Sequence, residues 1–183
     1  MTCGQTSEEA HRRIADFILE QYDGKKGMTV YVREEIVGKD WARGSTRLYG
    51  ERAESVDCHY AEPDILIERM GEISCIIEVD SASSGVVELT GKAMAPLLAE
   101  SARPEGKILP LARDLQVIQI VCMLPSDDSY RDWECRFSSL EDDIVHAYGC
   151  ISPERGYAAI LPLRREDETV EKVLTPLLEG KII

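Results

Sequence analysis

Apolar residues recur at helical spacing near the start of the chain, where Ile14, Phe17, Ile18 and Tyr22 form one stripe. The stripe predicts a helix from Ser7 to about Tyr22, capped by Thr6 or Ser7 and ended by Asp23-Gly24-Lys25-Lys26-Gly27. A strand follows over Met28 to Val37, then a polar connection over residues 38–60. Two β-rich runs, Asp64 to Glu68 and Ile73 to Asp80, flank Arg69-Met70-Gly71-Glu72 and read as a hairpin. A helix is expected from about Val86 to Ala102, weakened by Gly91 and Pro96. Gln116 to Leu124 is almost continuously apolar, as in a strand covered on both faces. Ser139 to Tyr148 reads as a helix, Gly156 to Leu163 as a strand, and Glu166 to Leu178 as a last helix. This order predicts one α/β domain over residues 1–183 with a mixed sheet.

The hairpin brings the candidate chemistry into view. With Gly71 at the centre of the turn, paired residue numbers sum to 142, which sets Asp64 directly across from Glu78. Their Cβ atoms then lie about 5 Å apart, and Asp80 shares the face because side chains alternate along a strand. Like charges facing each other destabilise a sheet, and a divalent cation with oxygen ligands would neutralise them. The competing reading makes Asp64 a turn residue after Pro63 and leaves Glu78 and Asp80 on a solvated edge. Their neighbours Ile76, Ile77 and Val79 favour a central strand.

The Pro63-Asp64 step, the Glu78-Val79-Asp80 triplet and the element order resemble the PD-(D/E)XK nuclease superfamily over residues 7–124. The resemblance implies a restriction endonuclease-like αβββαβ core, its mixed sheet flanked by helices. Residues 125–183 would be a C-terminal helix-strand-helix extension. It also implies that Asp64 and Glu78 bind Mg²⁺ or Mn²⁺. The family's lysine, two residues past the second carboxylate, is Asp80 here, which departs from the pattern. Asp80 would then hold a second metal or serve as general base, or Lys92 on the following helix would supply the missing cation. A first-helix glutamate joins some sites of this kind, and Glu8, Glu9 and Glu20 are the options.

Composition tempers this picture. The 183 residues carry a formal charge of −13, distributed as −2 over residues 1–60, −5 over 61–125 and −6 over 126–183. Binding to nucleic acid is driven by cations meeting phosphates, so the total argues against a dedicated DNA-binding protein. A local basic groove is compatible with it: Lys39, Arg43, Arg47 and Arg52 lie among Trp41 and Tyr49 just before the hairpin. So is a partner that supplies the cations, and a protein partner or a homo-oligomer is an option. Two functions follow, a metal-dependent phosphodiesterase acting on nucleic acid and a non-catalytic binding or assembly module of the same fold. No apolar run approaches the roughly 20 residues of a membrane span. No secretion signal is evident, and six scattered cysteines without a CxxC pair suit free, buried thiols in the cytoplasm. Cys58, His59, Cys135, His146 and Cys150 lack the spacing of a zinc site.

Overall fold

The structure, a computed structural model, describes residues 3–33, 46–50, 59–81, 85–122, 127–160 and 175. Three α-helices and seven strands are present among them: α1 (Cys3–Tyr22), β1 (Met28–Val32), β2 (Leu48–Tyr49), β3 (Ile65–Arg69), β4 (Glu72–Ser81), α2 (Val86–Leu98), β5 (Ser101–Ala102), β6 (Leu109–Cys122), α3 (Asp127–Ile151) and β7 (Gly156–Ile160). The expected mixed α/β architecture is there. Strands β1, β3 and β4 form an antiparallel meander, and α2 carries the chain across to β6, which lies parallel to β4. Helix α3 makes the next crossover, and β7 lies parallel to β6. The first two residues of β6 pair with β5, which pairs in turn with β2. The expected last helix, apart from Thr175, lies outside the described residues.

The hairpin has the expected pairing for a different reason. Met70 and Gly71 form a two-residue turn with φ of 57° and 87°, the left-handed pair of a type I′ hairpin. Arg69 therefore faces Glu72 and Glu68 faces Ile73. A bulge at Ser74 then restores Ile67↔Cys75, Leu66↔Ile76 and Ile65↔Ile77. An extra residue in one arm offsets the turn's shift, so the register near Asp64 is the one that a Gly71-centred turn predicts.

Other boundaries moved because distant contacts outweighed local pattern. Helix α2 stops at Leu98, not Ala102, because the following residues are drawn into β5 and its pairing with β2. Its terminal carbonyls are met from outside: the Arg155 guanidinium donates to Pro96 O at 2.6 Å and to Ala99 O at 3.3 Å. Helix α3 and strand β6 are longer than expected, and β2 falls inside what reads as a polar connection.

Each sheet face has its own core. Ile14, Phe17 and Ile18 of α1 pack on Val30, Ile65, Ile67, Ile77 and Val79. On the opposite face, Ala93 and Leu97 of α2 and Ile144 and Tyr148 of α3 cover Leu66, Ile76 and Val117. The faces alternate along β4, as strand geometry requires.

Candidate active site

The candidate site lies where β4 ends and α2 begins, a position at which open α/β sheets commonly bind ligands. Asp64, just ahead of β3, is 1% exposed, and Glu78 and Asp80 on β4 are each 2% exposed. Alternation puts Glu78 and Asp80 on the face covered by α2, together with Gln119 of β6, which is fully buried. The second turn of α2 brings in Lys92, half-buried over the same strands.

Asp64 is held from two directions. Its Oδ2 accepts the Val79 backbone N–H at 2.8 Å, and its Oδ1 lies 2.9 Å from Arg33 Nη2 without a hydrogen-bonding alignment. Arg33 follows β1, and its backbone N–H donates to Asp64 O. Burial raises the Asp64 pKa, although Arg33, the Val79 N–H, Lys92 and His11 of α1 all favour the charged form.

Glu78 is the least compensated member. Its Oε2 is buried without a hydrogen bond among the described residues, and Lys92 Nζ stands 4.0 Å away. Burial, followed by the charge of Asp64, raises the Glu78 carboxyl well above its ordinary range. Without a bound cation this group holds its proton to higher pH than an exposed glutamate.

Asp80 is fully engaged. Lys92 Nζ donates to Oδ1 at 2.5 Å, and Gln119 Nε2 donates to Oδ2 at 2.8 Å. Burial opposes the Lys92 charge, but the hydrogen bond and charge of Asp80, followed by Glu78, raise the Lys92 pKa. The ammonium is therefore retained at neutral pH. Gln119 also donates to Leu89 O at 3.2 Å, and Tyr157 of β7 donates its hydroxyl to Gln119 Oε1 at 2.8 Å.

The structure thus brings together Asp64, Glu78, Asp80 and Lys92. The three carboxylates do not make one ligand set: among the described residues no three His, Cys, Asp or Glu side chains converge closely enough to hold a metal ion. Both oxygens of Asp80 already accept from protein donors. Of the first-helix glutamates, Glu20 is exposed, and the side chains of Glu8 and Glu9 lie outside the described residues. His11 is the α1 residue whose charge acts on Asp64, and its Nε2 is buried with no hydrogen bond among the described residues.

In the basic segment, Arg47 forms an ion pair with Glu62, and His59 Nε2 lies 3.5 Å from the same carboxylate. Lys39, Arg43 and Arg52 lie outside the described residues. The thiols are not uniformly buried: Cys75 is, whereas Cys150 is exposed on α3 with its Sγ 3.6 Å from His146 Nε2. Among the described residues no helix is long and apolar enough to cross a membrane.

Arg33 enters the site from the residue after β1, and Gln119 and Tyr157 from β6 and β7. Gln119 had a readable signal, since it is the lone polar residue in the apolar run from Val117 to Leu124. Arg33 and Tyr157 had none, because their roles depend on pairing between remote strands. No family model, curated protein or solved structure matches the chain.

Proposed function

We propose that this chain is a divalent-cation-dependent phosphodiesterase acting on nucleic acid, built on a restriction endonuclease-like αβββαβ core. The observation that carries the reading is a pair of buried carboxylate oxygens, Asp64 Oδ1 and Glu78 Oε2: among the described residues neither accepts a hydrogen bond, and each has only a cation nearby, Arg33 Nη2 at 2.9 Å and Lys92 Nζ at 4.0 Å. Buried acceptors are normally hydrogen-bonded, so two hard oxygens that meet only the charge of partly exposed side chains are suited to a divalent cation. Mg²⁺ commonly binds through one or two carboxylates together with water and substrate phosphate, which matches two donors rather than three. The order helix, strand, hairpin, helix, strand agrees with the core that the resemblance implies.

In this reading Asp64 and Glu78 hold Mg²⁺ or Mn²⁺, which when bound acidifies water and offsets charge on the phosphate. Asp64 is fixed for that role by the Val79 N–H, which engages Oδ2 and leaves Oδ1 beside Arg33. Glu78 gives up its proton when a cation takes the place of that proton. Lys92, held charged beside Glu78, supplies the positive charge that the family draws from a lysine on the strand itself. Arg33, partly exposed next to Asp64, offers a guanidinium to a phosphate oxygen.

The second reading is a non-catalytic module, favoured by the −13 charge and by protein cations that already stand within 4.0 Å of all three carboxylates. One experiment separates them. Single-stranded, duplex and branched DNA and RNA are incubated with the full chain in Mg²⁺ and in Mn²⁺, beside Asp64→Asn and Glu78→Gln. The phosphodiesterase reading expects metal-dependent cleavage that both variants lose. No cleavage of any of these substrates in either metal assigns the fold to the module.

A further inference from the structure

We infer that Tyr157, Gln119 and Asp80 form a directional tether that positions the Lys92 ammonium beside Glu78, a role that rests on the phosphodiesterase reading. The donor and acceptor chemistry of the chain permits one arrangement. Lys92 can only donate, and its partner Asp80 Oδ1 accepts at 2.5 Å. The other Asp80 oxygen needs a donor, and Gln119 Nε2 provides it at 2.8 Å. An amide could turn over and present its oxygen to Asp80 instead. Leu89 O forbids it, because this second acceptor also faces Nε2 at 3.2 Å and a turned amide would set its oxygen against both; Oε1 is thereby left to accept from the Tyr157 hydroxyl at 2.8 Å. Burial, followed by Glu141 and Asp80, raises the Tyr157 pKa, so the hydroxyl keeps its proton and remains a donor.

The tether crosses four elements, from β7 through β6 and β4 to α2, and Gln119 at its centre is fully buried. A flexible four-carbon side chain otherwise loses its position readily, and a misplacement of about 1 Å can cost about a hundredfold in rate. The arrangement also accounts for the acidic residue where the resembled family has lysine. Asp80 does not replace the lysine's charge. It anchors a lysine that reaches in from the neighbouring helix.

The test follows the Lys92 ammonium directly, in the full chain without metal or substrate. Its ¹H–¹⁵N cross-peak, assigned by its loss in Lys92→Met, reports how fast the ammonium protons exchange with water. Proton exchange should be slow in the wild type, faster by about tenfold in Tyr157→Phe and faster still in Gln119→Leu. In cleavage assays with Mn²⁺, Tyr157→Phe should lower kcat by about tenfold while KM and Mn²⁺ affinity stay unchanged, because the hydroxyl touches neither substrate nor metal. A wild-type chain that cleaves nothing, yet shows faster Lys92 exchange in both variants, removes the phosphodiesterase reading and leaves the tether standing. Unchanged exchange in both folded variants overturns the tether, whatever the cleavage result.

Discussion

The two faces of β4 come from alternate residues of one strand and have opposite chemistry. Towards α1 the strand presents Cys75, Ile77 and Val79, all within a continuous apolar core. Towards α2 it presents Ile76, then Glu78 and Asp80, with Asp64 and Gln119 beside them. Both sets are almost fully withdrawn from water. Burying apolar groups stabilises a fold, whereas burying carboxylates costs free energy that only paired charges and hydrogen bonds offset. The α1 face therefore supports the sheet, and the polar end of the α2 face draws on that support to hold charge out of water.

The comparison predicts losses of different size for substitutions on the two faces. Ile77→Ala removes a fully buried side chain from the α1 face and should destabilise by about 2–4 kcal/mol. Lys92→Met, on the other face, leaves Asp80 and Glu78 without their ammonium. Because Lys92 remains 30% exposed, the loss should be smaller, about 1–3 kcal/mol. Urea unfolding at neutral pH measures both. A Lys92→Met chain as stable as wild type would show that the buried acids do not depend on that cation.

Glu78→Gln should act in the other direction. The folded Glu78 carboxyl titrates well above 4.5, the value it has when exposed, so the native state keeps a proton that the unfolded chain has lost. Where the native state binds more protons, stability falls as pH rises, here from about 4.5 until the folded carboxyl also ionises. Asp64 contributes the same sign, from its lower starting value of 3.8. Glu78→Gln removes the larger part of this penalty and should stabilise the metal-free protein at pH 8 by about 1–2 kcal/mol. Unfolding curves between pH 4.5 and 8 check this, and a Glu78→Gln chain with the wild-type slope would contradict it.

The smallest expected effect lies at the far end of the same hairpin. Met70 is 90% exposed with φ of 57°, a conformation that costs little for asparagine and more for methionine. Met70→Asn should stabilise by about 0.5 kcal/mol, visible as a small rise in Tm, and should leave the Asp64–Glu78 end untouched. A loss of stability would mean that the turn is not the type I′ hairpin on which the register rests.

Much of this contrast was legible in the residues. The stripe of Ile14, Phe17 and Ile18 predicts the helix that covers one face, and the Arg69-Met70-Gly71-Glu72 turn predicts the strand pair. Asp64, Glu78 and Asp80 were readable as neighbours because hairpin register is local information. The bulge at Ser74 was not readable, and the pairing survived only because bulge and turn offset each other. Division of labour among the carboxylates was also out of reach. It depends on Gln119 occupying Asp80 and on Tyr157 holding Gln119, contacts 39 and 38 residues apart in sequence. The two-residue strands β2 and β5 carry no periodicity at all, since pairing with distant partners alone defines them.

The central claim is that Asp64 and Glu78, without Asp80, form the cation site. The most direct measurement is the thermal unfolding of the full chain with and without millimolar Mn²⁺, in the wild type and in Asp64→Asn, Glu78→Gln and Asp80→Asn. A ligand that binds only the folded state raises Tm by mass action. The wild type and Asp80→Asn should each gain several degrees, and Asp64→Asn and Glu78→Gln should gain nothing. A wild-type melting curve that ignores Mn²⁺, or a gain that survives Glu78→Gln but is lost in Asp80→Asn, would contradict the account.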